Sequence, residues 1–69
     1  MKRRQAIDVI NEKIAGIPIN QAELARRAEI KPELLRRSLI GERKLCGDEL
    51  VNLCFVLGIE LKDFYEEVA

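Results

Sequence analysis

Reactive groups are scarce in this chain, and their spacing limits the chemistry they can carry. Cys46 and Cys54 lie eight residues apart with no histidine anywhere and no second cysteine pair, so the four-ligand set that zinc needs is missing. No nucleophile stands beside a base, and no glycine-rich loop is present to cradle a phosphate. With Phe55, Phe64 and Tyr65 as its aromatics, no tryptophan and no histidine, the chain lacks a proton shuttle near neutral pH and the material for a deep aromatic pocket. The expectation is a protein that is not an enzyme and uses no cofactor and no metal. Cys54 reads as a small core hydrophobe rather than a redox switch.

Charge is abundant, and it is unevenly placed. Twelve Lys and Arg balance twelve Asp and Glu, but residues 1 to 44 hold eleven cations against six acids, a net of +5. Residues 45 to 69 hold Lys62 alone against six acids, a net of −5. A chain divided in this way can turn a basic face to a polyanion and keep its acidic end away; solvated surface charge is the plainer explanation.

At 69 residues, 48% apolar and 35% charged, the composition is that of one small globular domain spanning 1–69, not of a disordered segment. No run reaches the roughly 18 apolar residues of a membrane span, and Asp8, Asn11, Glu12 and Lys13 interrupt any leader-like segment. No membrane contact is expected. The chain reads as cytoplasmic, with reduced thiols.

The elements that must position these groups are helical. Ile7, Ile10, Ile14 and Ile17 step by three and four, predicting a first helix from about Lys2 to Ala15, stopped by Gly16 and Pro18. Asn20 and Glu23 predict a capping box for the second helix, and Ile19 with Leu24 a hydrophobic staple. The same spacing joins Ile30 to Leu35 and Ile59 to Phe64. Pro32 and Glu33 favour a third helix running to about Ile40 and stopping at Gly41, although Lys31 is a poor cap. A fourth is expected from Gly47 to Leu57 with its stop at Gly58, and a fifth from Leu61 to about Val68. Only a few residues separate helices two and three, which forces a sharp crossing. The interior is expected at Leu24, Leu35, Leu50, Cys54, Leu57, Leu61 and Phe64.

The run Gln21-Ala-Glu-Leu-Ala25, followed by Ile30, Leu35, Gly41, Leu50, Leu53, Cys54, Leu57-Gly58-Ile59, Leu61 and Phe64, resembles the phage-repressor (Cro and C1, or Xre) helix-turn-helix family over about residues 5 to 66. The resemblance implies an all-α, five-helix, lambda-repressor-like DNA-binding domain with helices two and three as its helix-turn-helix. It implies a transcriptional regulator of phage type whose third helix reads the major groove. Four positions depart from the family pattern: Glu29 replaces the usual turn glycine, Lys31 the usual Ser or Thr cap, Ser38 an aliphatic residue and Leu39 a commonly acidic one. Glu29 must then tolerate a left-handed conformation, or the turn is altered.

By the same resemblance, base contacts fall on Pro32, Glu33, Leu34 and Arg37. Arg37 suits guanine O6 and N7, Glu33 accepts from cytosine N4, and Leu34 packs on a thymine methyl. Gln21, Lys31, Arg36, Arg43 and Lys44 are assigned to phosphates, with Lys2, Arg3 and Arg4 as a basic arm. Four to six neutralised phosphates predict a slope of log affinity against log salt of roughly −4 to −5. Arg26 and Arg27 are read equally well as surface pairs with Glu23. The competing reading is a protein-interaction module, such as an antirepressor, antitoxin-like or inhibitor component, using Leu34, Leu39 and Ile40.

On helix four, Leu50, Leu53, Cys54 and Leu57 form one stripe, while Val51 and Phe55 fall outside it and Asn52 alone requires water. Either helices one and five cover the surplus, or a homodimer forms through Val51, Phe55, Tyr65 and Val68. A two-fold dimer would set two reading helices about 34 Å apart, one turn of DNA.

Overall fold

A computed structural model describes residues 2–66. Four α-helices make up most of it: α1 (Ala6–Ala15), α2 (Gln21–Ala28), α3 (Pro32–Leu39) and α4 (Gly47–Leu57). A 3-10 turn at Leu61–Phe64 and a ribbon of two short strands, β1 (Lys2–Arg3) and β2 (Tyr65–Glu66), complete the chain. The fold is all-α apart from that ribbon.

The ribbon corrects two expectations. β1 and β2 are antiparallel, with Lys2 opposite Glu66 and Arg3 opposite Tyr65, and the Arg4 N–H donates to the Phe64 carbonyl at 2.6 Å. Helix α1 therefore starts at Ala6 rather than Lys2. No α-helix starts at Leu61, because the backbone after Phe64 is extended and pairs with β1. The expected fifth helix is a 3-10 turn followed by a strand; its far end, including Val68, lies outside the described residues. A helix of two turns is marginal on its own, so a non-local strand pairing displaces it at little cost.

Local signals place the other elements closely. The Asn20 side chain accepts from the Glu23 N–H at 2.8 Å and opens α2. The Glu23 carboxylate does not return the bond: it turns to Arg26 and Arg27. Pro32 is the first residue of α3, and Lys31 gives it no side-chain cap. At α4, the Glu49 carboxylate takes the Cys46 N–H at 3.0 Å, and Asp48 and Glu49 meet the positive end of the helix dipole.

Val9, Ile10, Leu24, Ala25, Ala28, Ile30, Leu35, Leu53, Leu57 and Ile59 form the core, with Leu50, Cys54 and Phe64 half-buried against it. Leu61, expected inside, is 78% exposed, because the 3-10 turn presents only Phe64 to the core. Ala25 is completely buried, with α2 packed against both α3 and α4, and a larger side chain there has no space.

Candidate nucleic-acid interface

Helix α3 has a strict inside and outside. Leu35 and Ser38 are fully buried and Leu34 and Leu39 half-buried against the core, whereas Pro32, Glu33, Arg36, Arg37 and Ile40 are exposed. At 100° per residue the exposed set forms one contiguous face. Leu34 belongs to the inner side, which weakens its assignment to a thymine methyl. The apolar patch of Leu34, Leu39 and Ile40 is broken up in the same way: two of its members pack inward, and Ile40 alone stands out, at 57% exposure.

The outward cations are not all free. Arg36 donates to the Glu33 carboxylate through two bonds of 2.8 and 3.2 Å, and this hydrogen bonding holds Glu33 below the usual carboxylate range. Arg37 lies 3.9 Å from Glu42, at the outer limit of an ion pair. Lys31 and Lys44 are exposed and form no ion pair among the described residues. Gln21 is exposed at the first residue of α2, beside the helix's positive end. Arg26 and Arg27 converge on Glu23, pushing that carboxylate down to about 2 chiefly through the Arg26 bond, then the Arg27 bond. They are a surface cluster, as their spacing allowed.

Arg43 is reassigned. Its guanidinium donates to Ser38 Oγ at 2.9 Å and to the Glu49 carboxylate at 2.9 Å, in a half-buried site. That geometry ties the end of α3 to the start of α4 and gives Arg43 two partners within the protomer that compete with phosphate. It also accounts for a buried hydroxyl at Ser38, where an aliphatic side chain would leave Arg43 one acceptor short.

Two asparagines carry structural roles that the sequence does not announce. Asn52 Nδ2 donates to the Ala28 carbonyl at 3.0 Å, so the residue expected to require water instead holds the end of α2. Asn11 Nδ2 donates to the Leu39 carbonyl at 3.1 Å and does the same for α3. Both acceptors are helix-end carbonyls lacking an intrahelical partner. For Asn52 the signal was an isolated polar residue among apolar ones; Asn11, followed by Glu12 and Lys13, carried none.

Several large apolar side chains are exposed as well. Val51 is 67% exposed, Phe55 87% and Tyr65 40%, so α1 and the 3-10 turn do not cover them. Leu61 adds a fourth exposed apolar side chain that the reading of the sequence had placed inside. Val68 lies outside the described residues. Cys54 sits half-buried, and desolvation pushes its thiol up, as befits a core packer; Cys46 is exposed. No cluster of three potential metal ligands occurs among the described residues, and none of their helices is long and apolar enough to cross a membrane.

Compared with family models, with curated proteins and with solved structures, the chain has no match.

Proposed function

We propose that the protein is a DNA-binding transcriptional regulator in which α2 and α3 act as a helix-turn-helix and α3 enters the major groove. The observation that carries the reading is the division of α3 into a buried side and a single exposed face holding Glu33, Arg36 and Arg37. Arg37 is the base-reading candidate, because its nearest carboxylate is 3.9 Å away and yields readily to guanine. Glu33 is a weaker one, since reading cytosine requires it to leave Arg36. Gln21, Lys31, Arg36 and Lys44 supply phosphate contacts. Lys31, Arg36 and Lys44 together contribute about −3 to the salt slope for each protomer bound.

A homodimer through Val51, Phe55, Leu61 and Tyr65 belongs to the same proposal: all four side chains are exposed, and Val51 and Phe55 stand one turn apart on α4. Fluorescence anisotropy against random duplex at low salt tests the DNA reading: micromolar protein binds, and absence of binding overturns it. On a selected site, Arg37→Ala costs about 1–3 kcal/mol and relaxes specificity. Phe55→Lys shifts sedimentation toward the monomer if the dimer surface is correctly placed.

A further inference from the structure

Residues 2 to 4 are three consecutive cations, Lys2, Arg3 and Arg4; the backbone of all three is tied to the chain's acidic end, and the Arg4 side chain is ion-paired. β1 pairs with β2, which places Lys2 opposite Glu66. The Arg4 N–H donates to Phe64 O at 2.6 Å, and the Arg4 guanidinium pairs with Glu12 and lies 4.0 Å from Glu66. A second tie runs alongside, Lys13 to Asp63 at 3.9 Å. The ribbon and the pairs to Glu66 and Asp63 join the basic half of the chain to its acidic half, and the carboxylates involved are exposed or partly so. Exposed pairs of this kind are individually weak and are screened by salt.

The root of this segment is close to the proposed DNA face. Gln5, Ala6 and Ile7 border one open cavity of about 330 Å³ together with Gly41, Arg43 and Lys44, the residues that follow α3. Three extended residues span about 10 Å, so a segment released at Arg4 reaches about three nucleotides beyond a phosphate held by Lys44. Polyphosphate is a stronger ligand for three adjacent cations than two exposed carboxylates, because it also releases condensed counterions.

We propose that the ribbon is an autoinhibitory clasp: Glu12, Glu66 and the β2 backbone hold Lys2, Arg3 and Arg4 until duplex phosphates displace them. The inference rests on the DNA-binding reading above. In the closed state Glu12 neutralises Arg4, the ribbon fixes the exposed Lys2 and Arg3 in place, and Glu66 adds repulsion toward phosphate. In the open state the segment lies along the sugar-phosphate backbone beside Lys44, and Glu66 turns to solvent.

A reversible lock tests the clasp. The bond from Arg4 to Phe64 makes Arg3–Tyr65 the neighbouring non-hydrogen-bonded pair of the ribbon, whose Cα separation of about 4.5 Å suits a disulfide. Arg3→Cys with Tyr65→Cys, in a Cys46→Ser, Cys54→Ala background, is titrated with random duplex in its oxidised and reduced forms. Lys2 and Arg4 remain, so locking makes the salt slope shallower by about 2, and the reduced form's advantage shrinks roughly tenfold between about 50 and about 200 mM salt. Equal affinities and slopes overturn the clasp while leaving the DNA reading in place; no binding by the unsubstituted protein overturns both. In the unsubstituted protein, the Arg4 amide exchanges faster with solvent when duplex is bound. Unchanged protection of that amide in the complex overturns the clasp independently of the lock.

Discussion

Two turns of this molecule share one backbone and lead to different outcomes. After α2, Glu29 takes φ 57° and ψ 41°, and the Ile30 N–H donates to the Ala25 carbonyl at 2.9 Å. After α4, Gly58 takes φ 69° and ψ 31°, and the Ile59 N–H donates to the Cys54 carbonyl at 2.9 Å. Both close with the six-to-one bond of a Schellman motif and are followed by a buried isoleucine. The first is followed by an eight-residue helix with a cationic outer face, the second by a four-residue 3-10 turn that opens into a strand.

The difference has two physical sources. Glutamate in the left-handed region costs about 1–2 kcal/mol that glycine does not. The first turn is held against this cost from outside, since Asn52 on α4 bonds the Ala28 carbonyl and buried Ala25, Ala28 and Ile30 surround it. Strain of this kind persists where neighbouring structure over-determines the backbone. Beyond the turn, α3 buries a stripe of Leu35 and Ser38 with Leu34 and Leu39 beside it, whereas the segment after Gly58 turns Leu61 to solvent and has β1 available to pair with.

The contrast can be broken most forcefully in the segments that follow the turns. Leu35→Ala removes a fully buried side chain and costs about 2–5 kcal/mol in urea unfolding, while Phe64→Ala, half-buried, costs about 1–2 kcal/mol. Equal costs would mean that both segments anchor the core alike. Next come the turn residues themselves, with opposite signs. A side chain at Gly58 meets nothing within 4 Å, so Gly58→Ala costs about 1–2 kcal/mol through backbone conformation alone. Asn52→Ala loses about 1 kcal/mol by orphaning the Ala28 carbonyl, with no counterpart at the second turn. Glu29→Gly gains about 0.5 kcal/mol, the relief of strain being partly offset by the greater freedom of glycine in the unfolded chain.

The smallest effect is electrostatic and again distinguishes the two helices. The last turn of α2 carries Arg26 and Arg27 paired with Glu23; that of α4 carries no cation. Glu23 is depressed from 4.5 to about 2, so its contribution is fully present above pH 4.5 and is lost as the pH falls toward 2. Acid titration of stability should therefore find the unsubstituted protein ahead of Glu23→Gln above pH 4.5, with the gap narrowing between those two values.

Much of this architecture can be read along the chain. The starts at Asn20 and Pro32, the stop at Gly58 and the span of α4 follow from capping and proline chemistry; at Glu29 the resemblance left a left-handed residue or an altered turn, and the structure has the former. The candidate interface was legible only in part. The exposure of Glu33, Arg36 and Arg37 followed from helical spacing, but the choice between Leu34 and Leu35 as the outward one did not. Arg43 looked like any other cation, and its commitment to Ser38 and Glu49 arises from three residues that meet only when α3 folds back toward α4.

The sequence by itself determined closely where α2, α3 and α4 begin and end, because caps, prolines and glycines act within a few residues of their own position. It also determined the separation of charge along the chain. Only the tertiary structure decided that residues 2 to 4 and 65 to 66 are strands, that Leu61 faces water and that Asn52 closes α2. Those outcomes depend on partners 24 or more residues away, or on a core surface that no local pattern encodes, and their free energies outweigh the weak helical preference of a two-turn segment.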